Sequence, residues 1–332
     1  MSKHKDVDVV TIGESMILFQ PSPEGTISYA PFFTSSVGGA ESNLVTALSR
    51  LGLKTRWISH LGQDPFAKLV ISALSGEGVD VSEVKQVGNA PTAVFFKESK
   101  GYGDPNVYYY RKHSAASQMT KDDIKDSWFN GARHLHVTGI TPAIGEGTTE
   151  MIRSAMIQAR EQGLTISFDP NLRRKLWDEE TARKTLLSLI PLCDIFLPGI
   201  DEAEFLVGDG MKTEEYTQFF REMGPTVVVL KLGTEGSYTQ YLNDFIEEPV
   251  YKIDQVIDTV GAGDAFAAGL LSVLLSESNP LEEASLKSTV PTAVKRANLL
   301  GALATQFKGD WEGNPTLDEV NHIIEGKQST TR

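Results

Sequence analysis

The sequence predicts an α/β protein: a doubly wound, mostly parallel sheet with flanking helices, plus a small discontinuous β-sheet at one edge. Three observations carry that expectation. Short apolar runs alternate with longer stretches of helical period, the order of strand–helix units. The apolar runs are continuous, as in strands buried on both faces of a parallel sheet. Two aromatic, proline-containing stretches have no helical period and are too short to be domains.

In chain order, the runs at 7–12, 56–59, 134–138, 165–168, 194–197 and 227–231 are short, apolar and flanked by turn residues, so they are expected as core strands. Helical patterns occupy 41–51, 65–74, 147–161, 179–189 and 213–222. Residues 16–34 and 92–111 are the two stretches that break the alternation, and they are expected to form a lid spanning about 15–36 and 91–112. From Gly261 onward the chain reads as mainly helical. At 332 residues it exceeds the usual size of one core. The expected organisation is a single domain over 6–325, followed by a frayed polar tail at 326–332.

The balance of 31 Lys plus Arg against 44 Asp plus Glu gives a net charge of −13. Such a surface repels phosphate backbones and anionic lipid, so neither nucleic acid nor membrane is an expected partner. A few placed arginines can still hold a small anion inside a cleft. Cys193 is the only cysteine, which leaves no intrachain disulfide and favours a reducing location. Asp6 and Asp8 interrupt the start of the chain before any signal-peptide-like apolar stretch. No segment reaches the ~18 apolar residues of a membrane span. A cytoplasmic protein is expected.

The most specific segment is Asp258-Thr-Val-Gly261-Ala262-Gly263-Asp264, followed by an apolar helical run. Small residues at a loop-to-helix junction let backbone N–H groups converge into an anion hole, which the helix dipole strengthens. Asp264 falls in the first helical turn, where a carboxylate can take a proton from a hydroxyl attacking a phosphoryl group. A lone Gly-x-Gly with an acidic cap would be an ordinary turn. The full spacing, with Asp at both ends, is more specific. Gly38-Gly39-Ala40-Glu41-Ser42-Asn43 opens an earlier helix, and Asn43 can offer both a donor and an acceptor to hydroxyls. Read alone, this second segment is better explained as a tight turn at a helix start.

Together the two segments resemble those of the ribokinase-like (PfkB) carbohydrate kinases, and the resemblance runs from about residue 7 to 324. It implies ATP as phosphoryl donor with Mg2+, Asp264 as catalytic base, and Gly261, Ala262 and Gly263 as the anion hole beside it. It also implies a substrate seat at Gly38, Gly39, Ala40 and Asn43. Lys231-Leu-Gly233-Thr-Glu-Gly236 is similar to the family's nucleotide-binding turn, although a plain β-hairpin fits it as well. Asn298 is similar to the asparagine bordering the adenine pocket, or else is a polar residue on a helix face. Lid sheets of this family commonly pair across a two-fold axis, so a homodimer through the lid is expected.

Val107-Tyr-Tyr109-Tyr-Arg111, with the Ser-Ala-Ala-Ser at 114–117, resembles a segment of 2-keto-3-deoxygluconate kinases within that family. Tyr109 and Arg111 would share a strand face, with Arg111 presenting a planar fork to a substrate carboxylate. Without the family context, the same residues read as a solvated edge strand. Asp169-Pro-Asn171-Leu-Arg173 follows a buried strand, placing Asn171, expected on the ATP side, and Arg173, expected on the substrate side, at its carboxyl end. Bacterial fructokinases share that segment. Gly309-Asp310 resembles the late Gly-Asp whose carboxylate faces the sugar acid.

Three departures stand out. Phe95 occupies the position of a substrate-facing tyrosine. Gly199 replaces the asparagine of an Asn-x-x-Glu element, leaving Glu202 to act on Mg2+ indirectly, through water. Residues 285–295 read as about nine residues longer than the family form. The expected function is an ATP-dependent kinase of 2-keto-3-deoxygluconate. A fructokinase or other ketose kinase, and a non-catalytic sugar-acid-binding protein, are the alternatives.

Overall fold

A computed structural model describes residues 6–99 and 106–326. The expected tail beyond residue 326, and the middle of the second aromatic stretch, lie outside the described residues. The strands are β1 (Val7–Ile12), β2 (Met16–Ser22), β3 (Phe32–Gly38), β4 (Thr55–Ile58), β5 (His60–Gly62), β6 (Lys85–Val87) and β7 (Val94–Glu98). They continue as β8 (Asn106–Tyr110), β9 (Ala132–Thr138), β10 (Thr165–Asp169), β11 (Ile195–Phe196), β12 (Val227–Lys231), β13 (Ser237–Tyr241) and β14 (Asp244–Glu248). The helices are α1 (Ala40–Arg50), α2 (Pro65–Gly76), α3 (Thr148–Glu161), α4 (Glu179–Leu189) and α5 (Ile200–Val207). The remaining ones are α6 (Thr213–Glu222), α7 (Ala262–Leu274), α8 (Glu283–Ala304) and α9 (Leu317–Ile324).

The main sheet has the order β14-β13-β12-β11-β10-β9-β1-β4 and is parallel from β4 to β12. Side chains alternate across it, which is why the strands read as unbroken apolar runs. Val10, Ile12, Val228 and Leu230 join α3, α4, α5 and α6 on one face. Val9, Val227 and Val229 join α1, α2, α7 and α8 on the other. The antiparallel pair β13–β14 extends one edge, an addition the alternation rule could not find, because a hairpin carries no crossover helix. Helix α5 was also missed; it is short and starts inside the stretch read as a motif.

A second, four-stranded sheet of order β3-β2-β7-β8 gathers the two aromatic stretches. The expected insertion at 285–295 does not stand apart: it is the first part of α8, a continuous helix that carries Pro291 in its interior. Among the described residues, no helix is long and apolar enough to cross a membrane.

Candidate active site

The order of the main sheet reverses between β1 and β9, and a crevice opens beyond the carboxyl ends of the strands at such a switch point. Glu14 follows β1, Ile140 follows β9, Asn171 follows β10 and Lys231 ends β12. All four line a cavity of about 310 Å³. The small sheet covers its open side with Phe95, Lys97 and Tyr109, and Arg111 follows directly after β8.

The helix α7 enters this cavity by its N-terminus. Gly261, its N-cap, has φ 79°, and a Cβ there would lie 1.9 Å from the Asp310 carbonyl oxygen, so only glycine fits. Gly38 meets the side chain of the same residue, where a Cβ would lie 2.3 Å from Asp310 Oδ2. Asn43 links the two glycine segments. Its Nδ2 donates to Asp264 Oδ2 at 2.8 Å, while its Oδ1 accepts from Gly39 N–H at 3.3 Å.

Burial pushes the Asp264 carboxyl up to about 7, with Asp169 and Asp310 adding to the shift and the Asn43 hydrogen bond and Arg173 opposing it. Burial likewise raises Asp310 to about 6, helped by Glu312 and resisted by Lys97 and Asn43. A carboxylate held near neutrality at a helix N-terminus is suited to accept a proton from an alcohol.

Arg111 is not the free fork that the sequence suggests. Its Nε and Nη2 both bond to Glu14 Oε2 at 2.7 Å, and the other Glu14 oxygen accepts from Ser114 Oγ. The guanidinium also lies 5.6 Å from the Tyr109 ring centroid, and Tyr109 stacks on Phe95 at 5.7 Å. Arg111 therefore faces the cavity as half of a buried ion pair, with its orientation fixed before any ligand arrives.

Opposite it, Lys231 Nζ pairs with Asp169 Oδ2 at 2.6 Å. Burial pulls the Lys231 ammonium down, but Asp169, Glu202 and Asp264 outweigh it and raise its pKa, so it stays charged. The Asn171 N–H donates to Asp169 Oδ1 at 3.0 Å, with Asn171 itself at φ 37°. Glu202 accepts from Leu172 N–H and Gly199 N–H, both at 2.7 Å, capping its own helix and bracing the 171–173 loop. A Cβ on Gly199 would make only an ordinary contact at 3.4 Å. The missing asparagine thus removes a polar side chain without any demand from the backbone.

A second cavity, about 610 Å³, abuts the first and shares Lys231, Thr259 and Gly263 with it. It is walled by Val250, Tyr251, Val256, Phe266 and Ala302. Gly233 and Gly236 line it from the turn joining β12 to β13, so that segment is both a hairpin and a cavity wall. Asn298 reaches it from α8. Its amide nitrogen is committed to Ser237 Oγ at 2.8 Å and the Val294 carbonyl at 2.9 Å, leaving the amide oxygen for a ligand.

Every residue given a substrate, nucleotide, metal or catalytic role in the sequence lines one of the two cavities, except Gly38, which packs on Asp310. Gly39, Ala40, Asn43, Phe95, Tyr109, Arg111, Arg173, Glu202, Gly261, Asp264 and Asp310 fall in the polar one; Ala262, Gly233, Gly236 and Asn298 fall in the apolar one. Asn171, expected on the ATP side, lines the polar cavity beside Arg173 and Lys231. Glu14, Lys97 and Asp169 were missed. The strand-end rule could have found Glu14 and Asp169. Nothing local marks Lys97, whose place depends on which strand covers the loop before α7.

A buried carboxylate at a helix N-terminus, in a polar cavity that abuts an apolar one, is an arrangement suited to phosphoryl transfer to a small alcohol. Residues 6–317 match the pfkB family of carbohydrate kinases, and the chain belongs to that family. It is 39% identical over 328 residues to 2-dehydro-3-deoxygluconokinase of Bacillus subtilis (strain 168), covering 97% of each chain. It is 34% identical over 323 residues to fructokinase-1 of Zea mays, covering 96% of this chain and 97% of that one. A crystal structure of an Escherichia coli protein designated ribokinase II, solved with ATP and Mg2+, matches with a TM-score of 0.84 at 25% identity, covering 96% of this chain and 99% of that one. The protein is a carbohydrate kinase, which sets aside the non-catalytic alternative.

Proposed function

We propose that this kinase transfers the γ-phosphoryl group of ATP to the terminal hydroxyl of 2-keto-3-deoxygluconate, giving the 6-phosphate and ADP. The observation that carries this reading is Asp264, held by Asn43 at the N-terminus of α7 beside a cavity that also presents Arg111 and Arg173. The substrate oxygen forms the new bond to phosphorus as its proton passes to Asp264, and the bond to the ADP oxygen breaks. The N–H groups at 261–264 and the dipole of α7 face the charge that develops on the transferred group. Lys231, fixed by Asp169 where the two cavities meet, is placed for the nucleotide phosphates. The apolar cavity suits a nucleobase, with Asn298 as its polar contact.

Among the described residues, no group of three or more His, Cys, Asp or Glu side chains could hold a metal by itself. A metal arriving with the nucleotide fits that donor set, since Mg2+ takes few protein ligands and keeps waters. Glu202 would then act on it through water. When bound, Mg2+ would neutralise charge on the phosphate oxygens.

A ketose kinase is the second reading, and one observation favours it: Glu14 already neutralises Arg111, which lowers the need for an anionic substrate. Coupled ADP release over a panel of keto-deoxy acids and ketoses decides between them. Higher kcat/KM for fructose than for 2-keto-3-deoxygluconate would overturn the sugar-acid assignment. Pairing of two chains through the small sheet belongs to the same reading, supported by exposed Tyr29, Phe32 and Tyr110 on that part of the molecule. Sedimentation of the parent and of Phe32→Ser tests it, a monomeric parent being the adverse result. A cytoplasmic location is likewise proposed, on the lone, buried Cys193.

A further inference from the structure

Lys97 lies on β7 of the small sheet, two residues from Phe95 and on the same face of the strand. Its side chain is only 6% exposed, and its ammonium pairs with Asp258 Oδ2 on the main body of the fold. Asp258 is the first residue of the segment that ends in Asp264. Its other carboxylate oxygen accepts from the Val260 N–H at 3.2 Å. Behind it, Ile257 and Asp258 donate their N–H groups to the Thr305 carbonyl at 2.7 and 3.1 Å. The loop that curls into Gly261 is thus held on one side by the end of α8 and on the other by a lysine from the small sheet.

Withdrawing both charges from water is costly, and a buried pair of this kind is weak evidence for added stability. Its position suggests a different use. Phe95 stacks on Tyr109, and Arg111 follows directly after β8, so a sugar resting on these groups fixes the small sheet. The same strand then fixes Asp258, and through Asp258 the backbone donors of the anion hole.

We infer that Lys97 is a positioning residue that couples occupation of the sugar seat to the geometry of the anion hole through its ion pair with Asp258. Lys97 makes no bond to the transferred group in this role. It sets where the 258–264 loop stands when the small sheet is engaged, so its loss falls on turnover and not on nucleotide binding.

The inference rests on the phosphoryl-transfer reading of that loop. It is tested in the full chain with Lys97→Met, Lys97→Arg, Lys97→Ala, Asp258→Asn and the Lys97→Met/Asp258→Asn double variant, beside Asp264→Asn. Steady-state kinetics use ATP and the better of 2-keto-3-deoxygluconate and fructose. Lys97→Met is expected to lower kcat roughly ten- to a hundred-fold, the size of effect that a small misplacement of reacting groups produces, with KM for ATP unchanged. Lys97→Arg recovers part of the loss, and added methylammonium raises kcat in Lys97→Ala. The double variant is expected to fall no further than the worse single one, because both changes break one contact.

Losses that multiply in the double variant would overturn the coupling. So would a rise in sugar KM at parental kcat, which would make Lys97 a sugar ligand. Asp258→Asn keeps the Val260 hydrogen bond and removes only the charge, so it carries the test if the methionine variant does not fold. Parental kcat in that variant sinks the inference. Intact turnover in Asp264→Asn would instead sink the reading of the loop itself.

Discussion

The two cavities that meet at Lys231 are built by opposite means. The polar one is built from desolvated, paired charges: Arg111 with Glu14, Lys231 with Asp169, Lys97 with Asp258. The apolar one is built from shape, with hydrophobic walls and a single amide on its floor. Removing half of a buried ion pair strands its partner, whereas trimming an apolar wall loses only contact area. Substitutions on the polar side should therefore be felt sharply and selectively. Those on the apolar side should be graded.

The largest effect is expected at Asp264. Asp264→Asn keeps the Asn43 contact region filled while removing the base, and kcat should drop at least ~10²-fold with ATP affinity retained, as measured by single-turnover kinetics and equilibrium binding. Near-parental turnover would erase the distinction between a charged, reactive half and a passive one. In the parent, kcat should fall as pH drops through about 7, since burial raises the Asp264 carboxyl to that value and its protonated form cannot accept a proton. A flat profile between pH 6 and 8 would contradict this.

Next comes Arg111. For a sugar acid, Arg111→Ala should cost ~1.5–3 kcal/mol, or roughly ten- to two-hundred-fold in kcat/KM, and Arg111→Lys should recover only part because the fork is lost. Fructose offers no carboxylate and should change far less. Equal losses for both substrates would mean that Arg111 serves to hold Glu14 and Ser114 in place and not to read the substrate. Glu14→Gln sharpens the comparison: freeing the fork from its counter-charge should raise the preference for the acid over the ketose, read as the ratio of their kcat/KM values.

On the apolar side, Asn298→Ala should raise KM for ATP roughly two- to ten-fold, the worth of one neutral hydrogen bond, with kcat nearly unchanged. A collapse of kcat there would show that the nucleotide side also controls the chemistry. The smallest effect is expected at Cys193, which belongs to neither cavity. It is buried, and burial pushes its thiol well up, so reductant should leave the melting temperature unchanged.

The same contrast explains what could be read in the sequence. Close approach of backbone to backbone demands glycine, and phosphoryl chemistry demands a carboxylate at a fixed offset, so Gly38, Gly261 and Asp264 announce themselves locally. The parallel core is legible for a similar reason, because strands buried on both faces must be apolar throughout. Val256, Tyr251 and Phe266 make a wall that many apolar residues could make, and they carry no signature. The ion pairs were hidden for another reason. Glu14 and Arg111, or Lys97 and Asp258, lie far apart in the chain, and only the placement of the small sheet over the crevice brings them together. Asn171 was legible as a strand-end residue at the rim of the site, but a strand end does not say which ligand the following loop meets.

The closure of Gly38 and Gly261 on Asp310 has a consequence for biosynthesis. Gly38, Asn43, Gly261 and Asp264 are all translated before Asp310, and Arg50 then grips the segment that carries it through the carbonyls of Trp311, Glu312 and Asn314. Contacts between such distant parts of a chain form late, after the costly loops between them have closed. A ribosome-bound chain stalled before Asp310 would hold every other polar group of the cleft and still lack the residue on which the two glycine segments meet. The cleft should thus be completed only as the last residues of the domain emerge.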